Sequence, residues 1–171
     1  MPAPGDPSRS AGMMPSIRLA RPGDEAAVAS LIEAMDRHYV GGTEDPGRIR
    51  DAVAGWLLGD DADAGIALAF DDGRPVAMAI FAILVPGVAL SRLMFLKDIF
   101  VIDQARGRGI GESMMRFLAT YCVDNEIGRI DLETERDNDG ARKFFDRLGA
   151  DCMDWKVAYR FGPEALARLA K

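Results

Sequence analysis

Residues 104–111, Gln104-Ala105-Arg106-Gly107-Arg108-Gly109-Ile110-Gly111, set three glycines in five positions between an apolar run and a stretch of helical periodicity. Glycine leaves the backbone bare, so successive N–H groups can converge on one anion, and the N-terminus of the following helix adds its partial positive charge there. Two arginines sharpen the preference for phosphate. The spacing argues against two familiar nucleotide loops. G-x-G-x-x-G would need glycine where Glu112 stands, and no Gly-Lys-Ser/Thr closes the run as in a P-loop. A nicotinamide or ATP site is disfavoured on that ground, and a glycine-rich turn that merely connects strand to helix is the simpler alternative.

The flanks favour the anion loop. Leu93 to Val101 is almost continuously apolar, as expected of a strand covered on both faces, and its two charges, Lys97 and Asp98, stand out. Downstream, Ile110, Met114, Phe117, Leu118, Tyr121 and Cys122 recur at helical spacing and predict a helix ending near Asn125. Arg129 to Thr134 alternates like a strand. Asn138 to Leu148 reads as a second helix with Gly149 as its stop.

This half of the chain resembles the GNAT superfamily of acyl-CoA-dependent N-acetyltransferases. Gln104, Gly107 and Gly109 meet the family's Gln/Arg-x-x-Gly-x-Gly/Ala signature, Lys97 to Val101 is similar to the strand before it, and Asn138 to Ala150 is similar to its Asn-x-x-Ala-x-x-Phe-Tyr-x-x-x-Gly-Phe/Ala element. The likeness covers roughly residues 93 to 150, and Trp155 to Leu166 further resembles the spermidine/spermine (diamine) acetyltransferase branch. The resemblance implies an α/β (mixed α+β) acyl-CoA N-acyltransferase fold, with a central, mostly antiparallel mixed sheet flanked by helices. It also implies direct acetyl transfer from acetyl-CoA to a primary amine of a small molecule or peptide, in a homodimer.

The remaining sequence fits one such domain. A chain of 171 residues, 49% hydrophobic and 28% charged, is ordinary for a globular protein. Residues 1–14, rich in Pro, Gly, Ser and Ala, read as a disordered tail and not as a signal or membrane span, leaving 15–171 as a single domain. Ile17 to Ala20 predicts a first strand. Asp24 is expected to cap an amphipathic helix through Tyr39, and a second helix begins at Asp45-Pro46 with Ile49, Val53, Trp56 and Leu57 inward. Strands at Ile66 to Phe70 and Val76 to Leu84 flank the turn Asp71 to Pro75, and a last strand is expected over Lys156 to Phe161. Val76 to Leu90 serves as a dimer interface or as a core strand with its loop.

Cys122 and Cys152 are too few for a disulfide framework and lack the spacing of a zinc site, which points to reduced thiols, a cytoplasmic setting and no metal. His38, the lone histidine, lies at a helix end with no metal-ligating companion and reads as structural or substrate-adjacent. With 21 basic and 27 acidic side chains the net charge is −6, which disfavours nucleic acid and suits cationic amines. The acidic run Asp60-Asp61-Ala62-Asp63 reads as a solvated loop.

Three chemical tasks follow from the resemblance. The cofactor pyrophosphate falls to the backbone of Arg106, Gly107, Arg108, Gly109, Ile110 and Gly111, with Gln104 in the signature. The thioester carbonyl needs donors, for which Ile99, Phe100 and Val101 are the candidates. The amine must lose a proton, since an ammonium with a pKa near ~10.4 is mostly cationic at neutral pH.

Where many relatives carry Glu-Asp this chain has Lys97-Asp98, which leaves Asp98 as base or as an ion-pair partner, and Glu133 as a second candidate. Phe145 stands where many relatives have a proton-donating tyrosine, and with Phe144 is read as packing against the cofactor or the core. Tyr121 or Tyr159 is a substitute donor or simply a core ring. Asn138 caps its helix, faces the pantetheine arm, or both; Lys143 and Arg147 meet CoA phosphates or solvent. The two departures also leave open a CoA-binding module with reduced catalysis.

Overall fold

The computed structural model describes residues 15–59, 62, 64–85 and 90–171, which fall into two compact units, one within Met1–Glu133 and one comprising Thr134–Lys171. The tail 1–14, Asp60, Asp61, Asp63 and residues 86–89 lie outside the described residues, and with them most of the acidic run and the end of the Val76 to Leu90 segment.

The first unit is a five-stranded sheet in the order β1 (Ser16–Leu19), β2 (Gly65–Asp71), β3 (Arg74–Leu84), β4 (Arg92–Val101), β5 (Ile127–Leu132). The first four strands are antiparallel neighbours and β5 runs parallel to β4. The β2–β3 hairpin turns through Asp72 (φ 48°) and Gly73 (φ 75°). Positive φ at both central residues matches the right-handed twist of the flanking strands. β3 is a central strand, paired on both sides and buried from Val76 to Phe81, so that part of the Val76 to Leu90 segment is core and presents no free edge.

Each face of the sheet carries its own core. On one, Val28, Leu31, Ile49 and Val53 from α1 (Glu25–Val40) and α2 (Pro46–Ala52) pack on Ile66, Leu68, Met78 and Phe100. On the other, Ile110, Met114, Leu118 and Cys122 of α3 (Ile110–Asp124) pack on Ala67, Ala77, Ala79, Met94 and Leu96. Small alanines on β2 and β3 let α3 approach closely, and the larger residues of the same strands face the opposite side.

Three expectations are corrected by local competition. Asp24 precedes α1 but makes no cap hydrogen bond to it. Arg18 donates to both of its carboxylate oxygens at 2.6 and 2.7 Å, and a third bond comes from the Arg21 N–H. A bidentate guanidinium is the stronger partner, and it holds the Asp24 carboxyl down at about 2. Trp56 points out, 75% exposed. The helix widens after Ala52 into a π-helical turn, Val53–Leu57, closed by the Leu58 N–H donating to the Val53 carbonyl, and that shift of angular phase carries Trp56 off the apolar stripe. β5 begins and ends two residues earlier than its alternation suggests, so Glu133 lies just past the strand.

The second unit holds α4 (Asp139–Arg147) and α5 (Pro163–Leu169). Asn138 caps α4 by accepting from the Ala141 N–H at 3.1 Å, and Gly149 (φ 85°) ends it. The strand expected over Lys156 to Phe161 is absent: those residues join no described sheet. Strand propensity expresses itself only where a neighbouring backbone completes the ladder.

Candidate active site

The site is organised by one irregularity in β4. Pairing with β3 runs Phe81↔Leu96 and then Ile80↔Asp98, which leaves Lys97 as an extra residue. A bulge of this kind inverts the alternation of the strand beyond it. Met94 and Leu96 face the α3 core, and after the bulge Ile99 and Val101 face it, while Phe100 is buried with α1 and α2. Asp98, two residues from Phe100, is thereby placed on the α1 side of the sheet, partly exposed, with the Lys97 ammonium 3.6 Å from its carboxylate.

The second consequence lies at the edge. β5 pairs with β4 only as far as Leu96↔Leu132, so residues 97–101 have no strand on that side among the described residues. The Ile102 N–H donates to the Val76 carbonyl on β3 at 3.0 Å. By strand alternation, Phe100 and Asp98 also turn their N–H groups toward β3, and Ile99 and Val101 turn theirs to the open side. Val101 bears this out: its carbonyl accepts from Arg106 Nε at 3.0 Å instead of from a strand. Two backbone donors, those of Ile99 and Val101, are therefore presented along a gap where a ligand can lie between diverging strands.

The open edge runs into the glycine loop. After a single 3-10 turn, Asp103–Ala105, the chain passes through Gly107 (φ 75°) and Gly109 (φ 77°) and enters α3. These left-handed conformations favour glycine. Gly109 provides no side-chain cap. The N–H groups of Gly107, Arg108, Gly109, Ile110, Gly111 and Glu112 find no acceptor among the described residues, so the helix terminus is a ready anion site.

The arginines are committed elsewhere in the same unit. Arg108 pairs with Asp71 of β2 at 2.7 Å, and its pKa is raised by that hydrogen bond. Arg106 reaches Asp103 at 2.9 Å and lies over the Phe100 ring. Anion binding thus rests first on backbone amides.

The other sequence candidates are distributed as follows. Gln104 is exposed in the 3-10 turn. Tyr121 packs against Phe81, 5.7 Å between centroids, eleven residues along α3 from Ile110, hence about 16 Å from the loop. Glu133 is exposed. In the second unit, Asn138 caps α4, Phe145 stacks edge-on against Phe144, and Tyr159 is exposed. His38, read from the sequence as structural or substrate-adjacent, has its Nδ1 3.6 Å from Asp103 and its ring 6.0 Å from that of Phe100. Its position at the end of α1 was legible, but the return of α1 to the far end of β4 was not. Among the described residues no group of three potential metal ligands comes together, and no described helix is long and apolar enough to cross a membrane.

A family model for the acetyltransferase (GNAT) family matches residues 28–150, from within α1 to just past α4. The chain belongs to the GNAT acetyltransferase family. It is accordingly an acyl-CoA-dependent acetyltransferase. An uncharacterized N-acetyltransferase of Bacillus subtilis (strain 168), YhfO, is 25% identical over 134 residues, which span 78% of this chain and 88% of that protein. An integron cassette protein from the mobile metagenome of V. cholerae superposes with a TM-score of 0.86 at 27% identity, over 94% of this GNAT chain and 99% of its own. An aminoglycoside N-acetyltransferase solved in complex with CoA shares the fold, with a TM-score of 0.69 at 19% identity over 85% and 93% of the two chains.

Proposed function

We propose that this GNAT protein moves the acetyl group of acetyl-CoA directly to a primary amine, of a polyamine-like small molecule or of a peptide, with residues 97–111 of the first unit holding the thioester substrate. The observation that carries the reading is the continuity of unpaired donors, from Ile99 and Val101 on the open edge to the bare amides of Gly107 to Glu112. The loop amides and the α3 terminus take the pyrophosphate. The N–H groups of Ile99 and Val101 align the acyl chain carrier and donate where negative charge develops on the thioester oxygen.

Transfer is an attack of the amine lone pair on the thioester carbon, with breakage of the C–S bond and departure of the thiolate. The proton lost by the nitrogen goes to Asp98, directly or through one water, with Glu133 as the alternative acceptor. Tyr121 is the candidate donor to sulfur. A donor is dispensable, because a thiol of pKa about 8.5 leaves as thiolate near neutral pH at a cost of roughly 2 kcal/mol. The net charge of −6 favours the approach of a cationic acceptor.

One observation favours a second reading, a CoA-binding module with little turnover: the Lys97 ammonium stands 3.6 Å from Asp98, so that carboxylate is engaged as a structural ion-pair partner. Thiol release from acetyl-CoA, followed against a panel of diamines, polyamines, amino acids and basic peptides, decides between them. Turnover with at least one amine, lost in Asp98→Asn, is expected of the enzyme. Acetyl-CoA binding with no turnover across the panel is the outcome expected of the module.

A further inference from the structure

One carboxylate oxygen joins the end of α1 to the entrance of the glycine loop. Asp103 Oδ1 lies 2.9 Å from an Arg106 guanidinium nitrogen and 3.6 Å from His38 Nδ1. The first contact is a formed ion pair. The second is longer than a hydrogen bond, so the imidazole stands beside a carboxylate that already has a partner. Arg106 is held further by its Nε donating to the Val101 carbonyl at 3.0 Å and by the Phe100 ring, 5.7 Å from its guanidinium carbon. It is exposed and immediately precedes Gly107, where the run of unpartnered amides begins. A group well suited to phosphate is thus placed beside the candidate anion site and turned to a carboxylate instead.

Imidazole is the side chain that gains its charge near neutral pH, ordinarily at about 6.5. Protonation of His38 brings a second cation against Asp103 Oδ1, and the two then compete for one oxygen. The other charged groups of the elements that meet here have partners of their own. On β4, Lys97 pairs with Asp98, and on α1 the Asp36 carboxylate accepts from the Glu44 N–H. Arg37 adds a standing positive charge next to His38 in the chain, and Tyr39 meets the imidazole edge-on at 4.9 Å. We propose, resting on the reading that the loop amides hold the CoA diphosphate, that His38 is a positioning residue for the cofactor: as imidazolium it takes over Asp103, and the Arg106 guanidinium released from that carboxylate serves the diphosphate. Binding of the anion then takes up part of a proton at His38. By linkage, the proton strengthens binding by the same factor.

His38 is the only histidine of the chain, so proton NMR of the untagged full-length protein reads its imidazole directly. The probe is 3′-dephospho-CoA, which carries the diphosphate without the phosphomonoester that titrates in the same range. Saturation with it is expected to move the His38 titration midpoint up by about half a pH unit. Calorimetry is expected to show binding about threefold weaker at pH 8 than at pH 5.5. His38→Gln is expected to bind at the weaker level at both pH values. Asp103→Asn leaves Arg106 without its carboxylate at any pH and is expected to bind at the tighter level at both, whereas Arg106→Gln binds at the weaker level or below it. Circular dichroism verifies that each variant folds. An imidazole signal whose midpoint ignores the bound probe overturns the proposal and leaves the loop as the diphosphate site. So does an Asp103→Asn protein that keeps the pH dependence of the wild type. A folded wild type that binds neither dephospho-CoA nor CoA at either pH overturns the diphosphate site itself, and this role of His38 with it.

Discussion

Asp98 is where the fold and the proposed chemistry meet. Without the extra residue at Lys97, strand alternation would carry Asp98 to the α3 side of the sheet; with it, the carboxylate is on the α1 side. Asp98→Asn keeps the shape and removes the proposed proton acceptor, and is expected to lower kcat by about 100-fold, the range for losing a general base, with the acetyl-CoA Kd unchanged by calorimetry. An equal loss of binding would assign Asp98 to cofactor contact.

Asp24 offers a test of stability at the same scale. Its folded pKa, about 2, lies below the ordinary carboxylate value because Arg18 and the Arg21 amide hold the charged form. Its contribution is therefore complete above about pH 4 and is lost as the pH falls toward 2. With Arg18 over a third exposed to solvent, screening reduces the contribution to about 1 kcal/mol. Denaturant unfolding of Asp24→Asn is expected to show that deficit at pH 7 and a much smaller one at pH 2.

At the scale of elements, the β4–α3 connection is the part on which the proposed binding depends. Gly109 is left-handed, and a Cβ there would meet nothing within 4 Å in the protein itself. Gly109→Val then introduces backbone strain of about 1–2 kcal/mol and a methyl-bearing obstacle at the proposed pyrophosphate site. Acetyl-CoA affinity is expected to fall at least tenfold, with only a small change in Tm. Gly65→Ala behaves in the opposite way, because its Cβ would run into the Phe81 ring. Overpacking of that kind costs about 1–3 kcal/mol, so Tm should drop while cofactor affinity at 15 °C is retained.

These elements also show what was legible in the sequence. Apolar periodicity located α1, α3, α4 and the first five strands, and the glycines at 107 and 109 and the hairpin at Asp72-Gly73 stand where positive φ is required. The bulge at Lys97 was not legible, because a one-residue slip is a property of two strands pairing and leaves no mark on either alone. The same holds for Trp56, displaced by a π turn, and for Asp24, diverted from its helix by an arginine six residues away in sequence. At the candidate site the loop residues could be named from spacing. The open edge of β4 depends on β5 ending opposite Leu96, which only the assembled sheet reveals.

On the scale of the molecule, burial separates the two thiols. Cys122 is enclosed in the α3 core with its Sγ 4.0 Å from the Met94 sulfur, and burial pushes its pKa up, whereas Cys152 is exposed. Titration with a chromogenic disulfide reagent should therefore find one fast thiol per native chain and a second only on unfolding. Replacement of Cys152 by serine should abolish the fast phase.

The central claim is that a line of backbone donors along the β4 edge and the glycine loop holds a CoA thioester. Isothermal titration calorimetry of the full chain with acetyl-CoA tests it most directly. One site per chain is predicted, with binding weakened at least tenfold by Gly109→Val and little changed by Asp98→Asn. A folded protein that evolves no heat with acetyl-CoA or CoA at temperatures 15 °C apart, or that binds both undiminished after Gly109→Val, would contradict it.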